Sequence, residues 1–511
     1  MKIKLPWVRH LLGIALLGLS GALAAAAPSQ NLQWRETTSA EALDQAFSEA
    51  ARTQRPLLLY WGATWCPPCN QLKKTVFQTE AFAQLSKGFV AAYIDGDQRG
   101  AQALGQRFKV RGYPTVVVFS AKGEELFRLP SGGTPEQTLQ ALASGLGDGR
   151  SIRETVSDAL AGRPVSPAGW RMLALYNWGQ DGTSILAEQD ILSTVDRLAA
   201  VAQSVSGPTQ EVRARLVLKA AAMGSREARL TAEARKQMQR VLNDAKYARI
   251  HADAILSDSA ALTEALSLDR DRMRVAMRGL LKAGQLSLPD QAGLIVERTK
   301  LERIGLPKDD YAPRLPAPFL KELRTEVQRL ALSPMDGYER QAVIPSLGYA
   351  LGLAGLWAES DQLLRDGLKK SHSDYYLMSQ LGSNARKQGK SQEAIQWYQR
   401  AYENSVGPAT RLQWGVGYLA ALTELAPEES KRIESLAIAL IQEASQDPAA
   451  FQERSGRSMQ RLGRLLSEWN RMASQASALG AVRGKLESVC KRLPDDDGQR
   501  VMCLAVADRL K

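Results

Sequence analysis

A chain of 511 residues with 44% hydrophobic content can bury more than one core, so roughly two to four globular units are expected. Its net charge of +12 is a diffuse excess with no dense Lys/Arg block of the kind that tracks phosphates, which excludes nucleic acid from the expected partners. Four cysteines are too few for a disulfide-dense scaffold, and with three histidines, none beside a cysteine in sequence, no metal site is expected.

The chain opens on "MKIKLPWVRH", with Lys2, Lys4 and Arg9, followed by the apolar "LLGIALLGLSGAL" and the small residues of "ALAAAAP". That order is a secretory signal peptide, residues 1–26, cut after Ala24 or Ala26, and it makes the mature protein periplasmic or secreted. An uncleaved anchor is the weaker reading, because the apolar run falls short of the ~20 residues that span a bilayer.

Ser39 can cap a helix over "SAEALDQAFSEAARTQ", whose apolar residues recur at helical spacing. "RPLLLYWGA" then reads as a buried strand, "PPCNQLKKTVF" as a helix opening after Cys66, and "TEAFAQL" as a helix or turn. A strand "FVAAYID", a helix "AQALGQRFK", strands "TVVVFS" and "ELFRLP", and a helix capped by Thr134 with Pro135 at its first position complete an α/β sandwich over residues 28–150. The glycine-rich "GLGDGR" at 145–150 reads as its boundary.

Beyond it the strand signal disappears, and residues 151–511 read as one large all-α region. Residues 341–408 contain a 34-residue repeat: Leu347-Gly348 aligns with Leu381-Gly382, Gly355 with Gly389, Leu364 with Tyr398 and Gly367 with Ala401. These two units resemble the tetratricopeptide repeat, which implies a surface for a protein or peptide partner. The flanking 151–340 and 409–511 show no clear repeat and are read as α-solenoid-like helices. Near the end, Cys490 and Cys503 lie on two helical stretches separated by "PDDDG", which favours a structural disulfide between antiparallel helices. Free thiols, or a relay exchanging with Cys66 and Cys69, are the alternatives.

"WGATWCPPC", residues 61–69, could be half a zinc site, a structural link or a redox centre. Where a buried strand gives way to a helix, the first sulfur of a Cys-x-x-Cys sits at the helix N-terminus, where free N–H groups favour a thiolate. That is the requirement for thiol-disulfide exchange, with Cys66 as the exposed attacker and Cys69 as the resolving thiol. Pro67 and Pro68 have no N–H to give a Cys66 thiolate, which points to a couple on the reducing side.

Over residues 39–146, "WCPPC" together with "YIDGDQRGAQALGQRFKVRGYPTVVVFSAKGE" resembles the thioredoxin superfamily, in particular its secreted branch that includes the periplasmic domain of a membrane electron carrier. The resemblance implies a cis Pro114 against the disulfide, with Trp65, Tyr113 and Thr115 bordering a substrate groove. It also marks a departure: the family's buried acid falls at Tyr60, and the lysine that partners it falls at Ala91. The expected function is an extracytoplasmic thiol-disulfide oxidoreductase that reduces or isomerises disulfides of exported proteins, supplied by a membrane-embedded dithiol donor. No cofactor is expected. The alternative is a helical-repeat interaction scaffold in which the thioredoxin-like part is a binding module.

Overall fold

The computed structural model describes residues 34–37, 39–130, 133–473 and 476–511, so the expected signal peptide at 1–26 lies outside the described residues. Strands β1 (Arg35–Glu36), β2 (Leu57–Gly62), β3 (Val90–Asp95), β4 (Thr115–Phe119) and β5 (Glu125–Arg128) form one sheet in the order β1-β3-β2-β4-β5. β1 and β2 run parallel to β3, while β4 runs antiparallel to β2 and β5. Two-residue β1 has no readable period, which is why the sequence did not show it.

All six residues of β2 are buried, and the two-residue alternation of a strand divides them. Leu57, Leu59 and Trp61 enter a core closed by α1 (Ala40–Thr53) and α4 (Ala101–Arg107), through Leu43, Ala46, Ala50 and Ala101. Leu58 and Tyr60 face the other side, with Phe82 of α3 (Glu80–Ser86) and Ala141 and Leu142 of α5 (Pro135–Asp148). That second core does not stop at the α/β part. It runs on through Trp170, Leu173 and Trp178 as far as Leu301, so one face of the sheet shares a core with the helices that follow it, while the other face and the later helices pack in cores of their own.

The glycines read as a boundary also belong to the fold. α5 begins with a Thr134/Gln137 capping box and Pro135, passes through Gly145 and Gly147, and stops at Gly149, whose φ of 68° is left-handed. A Cβ on Gly145 would lie 2.1 Å from the Phe127 ring, so glycine is required for α5 to sit on β5. Only Gly149 and Arg150 separate α5 from Ser151, the cap of the next helix.

From Ile152 onward the described residues contain helices and turns and no strand. The two 34-residue units are helical hairpins, Gly337–Leu353 with Trp357–Leu368 and Asp374–Lys387 with Ser391–Asn404. In each, the aligned glycine lets the partner helix close in: Leu364 meets Gly348 and Tyr398 meets Gly382, while Gly355 and Gly389 turn the chain, both with φ of 74°. The helices wrap the α/β part. Helix α2 (Pro67–Leu72) packs against Gly337–Leu353, and α4 packs against Glu453–Ala473. Gln71 donates to Asp290 at 2.8 Å, Lys74 pairs with Asp336 at 2.7 Å, and Gln137 donates to Asp253 at 2.9 Å.

Candidate active site

β2 delivers the chain through Ala63–Trp65 to Cys66, the N-cap of α2, whose first two positions are Pro67 and Pro68. Since neither proline has an N–H, the first free amide is that of Cys69, and it donates to Cys66 Sγ at 3.2 Å. Cys66 and Cys69 are joined in a disulfide with Cα atoms 5.2 Å apart. Asn70, only 1% exposed, fixes this turn by donating from Nδ2 to the carbonyls of Thr64 at 2.7 Å and Cys66 at 2.8 Å. Its Oδ1 meets His372 Nε2, from the helical half, at 3.3 Å.

The Tyr113–Pro114 bond is cis. Tyr113 packs on the cysteine pair beside Trp65, and its hydroxyl is bonded to Gln102 Nε2 at 3.0 Å. Burial raises the pKa of the Tyr113 phenol. Pro114 is buried, and its carbonyl accepts from Gln180 at 3.2 Å. Thr115 is placed differently from expectation: its hydroxyl turns back to the Gly112 carbonyl at 2.8 Å, and it is 3% exposed as the first residue of β4, so it does not border a groove.

Cys66 also departs from expectation, being 2% exposed rather than an open attacker. Trp65 and Tyr113 pack on it, and the helical half holds Trp65 in place. Trp65 stacks on Tyr376 at 5.9 Å and meets Trp414 edge-on at 5.0 Å, while Gln341 donates to the Trp65 carbonyl at 2.8 Å. Trp65 Nε1 donates to Asp97 at 2.7 Å, and the other oxygen of Asp97 pairs at 2.6 Å with Arg454, whose guanidinium lies 4.9 Å over Trp65 and 5.3 Å over Tyr113. What remains open is a cleft of about 500 Å³ bordered by Cys66, Pro67, Pro68, Tyr113 and Tyr376. Tyr376 and the two prolines also border an adjoining cleft of about 810 Å³ along the repeat helices.

Tyr60, where the family carries an acid, is 1% exposed between Tyr93 and Phe77, with no partner for its hydroxyl among the described residues. Ala91 is likewise buried. The titratable groups beside this position are Lys73, 5.2 Å from the Tyr93 ring, whose pKa burial lowers, and Asp95, whose pKa burial raises. Cys490 and Cys503 are bonded to each other, wholly buried among Leu486, Val489 and Val506 in a core distinct from that around Cys66. No group of three metal-ligating side chains occurs among the described residues.

Asn70, Asp97, Gln341, Tyr376, Trp414 and Arg454 were not singled out by sequence reasoning. Five act through contacts at long sequence separation. Asn70, directly after the second cysteine, is the one whose bonds to the redox turn are local in sequence.

Residues 43–145 match the family model for a thioredoxin-like domain. This stretch is a thioredoxin-like domain. Among curated proteins, the chain is similar to the thiol:disulfide interchange protein DsbD of Klebsiella pneumoniae, 32% identical over 135 residues, covering 24% of this chain and 22% of that protein. It is also similar to DsbD of Ralstonia nicotianae, 29% identical over 22% of this chain and 19% of that one, and to DsbD 1 of Pseudomonas aeruginosa, 30% identical over 19% and 17%. The chain thus spans about a fifth of the length of the curated relatives it matches. Among solved structures, DsbH oxidoreductase aligns at a TM-score of 0.21 and 21% identity, over 26% of this chain and 95% of that one. The human IFIT1 dimer with m7Gppp-AAAA aligns at 0.26 and 14% identity, over 70% of this chain and 80% of that one. No helix among the described residues is long and apolar enough to cross a membrane.

Proposed function

We propose that the protein is an extracytoplasmic thiol-disulfide oxidoreductase that reduces or isomerises disulfides of exported proteins through Cys66 and Cys69. One observation carries this reading: a Cys-x-x-Cys disulfide at a helix N-terminus, beside a cis-proline, with its first cysteine on the wall of a cleft. The DsbD relatives are named for thiol:disulfide interchange, which is the same chemistry. The reduced Cys66 thiolate attacks one sulfur of a client disulfide. The Cys66–client bond forms as the client bond breaks, and the other client sulfur leaves as a thiolate. Cys69 then attacks Cys66 Sγ and frees the second client sulfur. Two electrons pass to the client, and the protons shed by the two cysteines go to its thiolates. A membrane-embedded dithiol carrier would restore the Cys66/Cys69 pair. The "LLGIALLGLSGAL" leader and the Cys490–Cys503 bond support an oxidising compartment outside the cytoplasm.

A second reading makes the helical array the working part and the thioredoxin-like domain a binding module. The matched hairpins over 341–408 and the cleft of about 810 Å³ beside them favour it, as does the resemblance to tetratricopeptide units. Insulin reduction separates the two. With dithiothreitol as electron donor the wild type should accelerate the reduction, Cys66→Ser should be inactive, and Cys69→Ser, reduced and then freed of dithiothreitol, should stall as a Cys66–insulin mixed disulfide. An inactive wild type, with the double Ser variant fully functional in cells, would select the scaffold.

A further inference from the structure

The helix Glu453–Ala473 carries Arg454, Arg457, Arg461 and Arg464 at intervals of three, four and three, which is one face of a helix, and all four border the cleft onto which Cys66 opens. Arg111 borders it too, and among the described residues no carboxylate does. Part of the excess charge that looked diffuse in the sequence is therefore gathered at the disulfide. The five arginines differ in what holds them. Arg454 is committed to Asp97, Arg457 pairs with Glu453 on its own helix at 3.0 Å, and Arg111 approaches the exposed Glu188 at 3.8 Å. Arg461 and Arg464 are exposed and have no ion-pair partner among the described residues. Like charges a helical turn apart repel, and an incoming anion would relieve that cost.

We infer that this cleft receives an extended acidic segment of the client polypeptide, whose carboxylates pair with Arg461 and Arg464 while its disulfide reaches Cys66. The inference rests on the oxidoreductase reading and adds the class of client. A folded surface cannot reach a sulfur that is 2% exposed behind Trp65, but an extended strand can enter the cleft. Arg461 also borders the adjoining cleft of about 810 Å³, together with Tyr376 and Trp414, so the open space continues beyond what a tripeptide-sized anion would fill. Arginine suits the role because its planar guanidinium binds carboxylates in a two-pronged fashion.

The test uses the full-length protein, with dithiothreitol as electron donor and the uncatalysed rate subtracted, and two disulfide-bearing peptides of equal length, one flanked by Asp and Glu, the other by Lys. In low salt, wild-type kcat/KM should favour the acidic peptide about tenfold, which corresponds to about 1.4 kcal/mol, and the preference should shrink at high salt. Arg461→Glu/Arg464→Glu should abolish or invert the ratio, and a fold defect that lowers both rates alike would not mimic this. Equal kcat/KM for the two peptides in the wild type, or an unaltered ratio in the variant, overturns the inference. So does selective, Arg461-dependent reduction of glutathione disulfide with no preference between the peptides, since that would assign the cleft to a small anion. A binding arm keeps the inference separable from the chemistry: the acidic peptide with Ser in place of Cys should bind the wild type at least tenfold tighter than the variant by fluorescence anisotropy. If that holds while neither peptide is reduced, the oxidoreductase reading fails and the acidic docking site stands. If binding is equal, the docking site fails.

Discussion

Asn70 shows how much of the redox turn depends on one carboxamide. Its two N–H groups hold the carbonyls of Thr64 and Cys66, on either side of Trp65, and its burial leaves water no part in that task. Asn70→Ala strands both carbonyls and is expected to cost about 1–3 kcal/mol in chemical denaturation; a wild-type midpoint would contradict the assignment. His251 supplies a residue-scale test of a different kind. It is wholly buried, neither ring nitrogen has a partner among the described residues, and burial, helped by Arg215, lowers its pKa to about 4. A pKa depressed on folding gives stability that is complete above the ordinary value near 6.5 and is lost as pH falls toward 4. The loss can reach about 3 kcal/mol. Neighbouring Asp253, pulled down to about 2 by Arg215 against the effect of its burial, titrates below that window. His251→Phe should therefore flatten the decline in urea midpoint between pH 6.5 and 4, and parallel pH profiles for variant and wild type would refute it.

At the scale of elements, α5 separates two meanings of glycine within one helix. Gly145 lies against the Phe127 ring, whereas a Cβ at Gly147 would meet nothing within 4 Å. Gly145→Ala should destabilise by about 1–3 kcal/mol through overpacking, and Gly147→Ala should stabilise by roughly 0.5–1 kcal/mol through helix propensity. Thermal unfolding of the two variants reads both signs; the same sign for both would contradict this packing. The pair also shows what sequence can and cannot disclose. The apolar runs of the strands, the Ser39 and Thr134 caps and the Cys-x-x-Cys after a buried run are local patterns, and each was readable. "GLGDGR" does not disclose which of its glycines makes a contact, because a glycine needed for contact and a glycine in a linker look the same without the ring opposite. The arginine face of Glu453–Ala473 was present in "ERSGRSMQRLGRLL", but its significance depends on the cysteines almost four hundred residues earlier. The closeness of Trp65 to Tyr376 and Trp414 follows from docking, which no local periodicity encodes.

At the scale of the whole molecule, the helical half braces the aromatic cover of the redox site. One hydrophobic core runs from the sheet into the helices, and the Asp97–Arg454 pair fastens the Trp65 ring over Cys66. Arg454→Ala should leave Asp97 buried and unpaired, at a cost of about 3–5 kcal/mol, and should loosen the aromatic cover. Reduction of Cys66–Cys69 by dithiothreitol under native conditions should then be faster than in the wild type, and an unchanged rate would show that the cover does not limit access. The two disulfides give the most direct test of the redox assignment. Cys66–Cys69 borders a cleft, while Cys490–Cys503 lies sealed in another core and ties two helices together. The deciding measurement equilibrates the native full-length protein in graded thiol-disulfide buffers, alkylates the free thiols and locates them by mass. Cys66 and Cys69 opening and reclosing reversibly as a pair, with Cys490 and Cys503 still bonded, is the expected result. A Cys66–Cys69 bond that opens only when the protein unfolds would contradict the assignment.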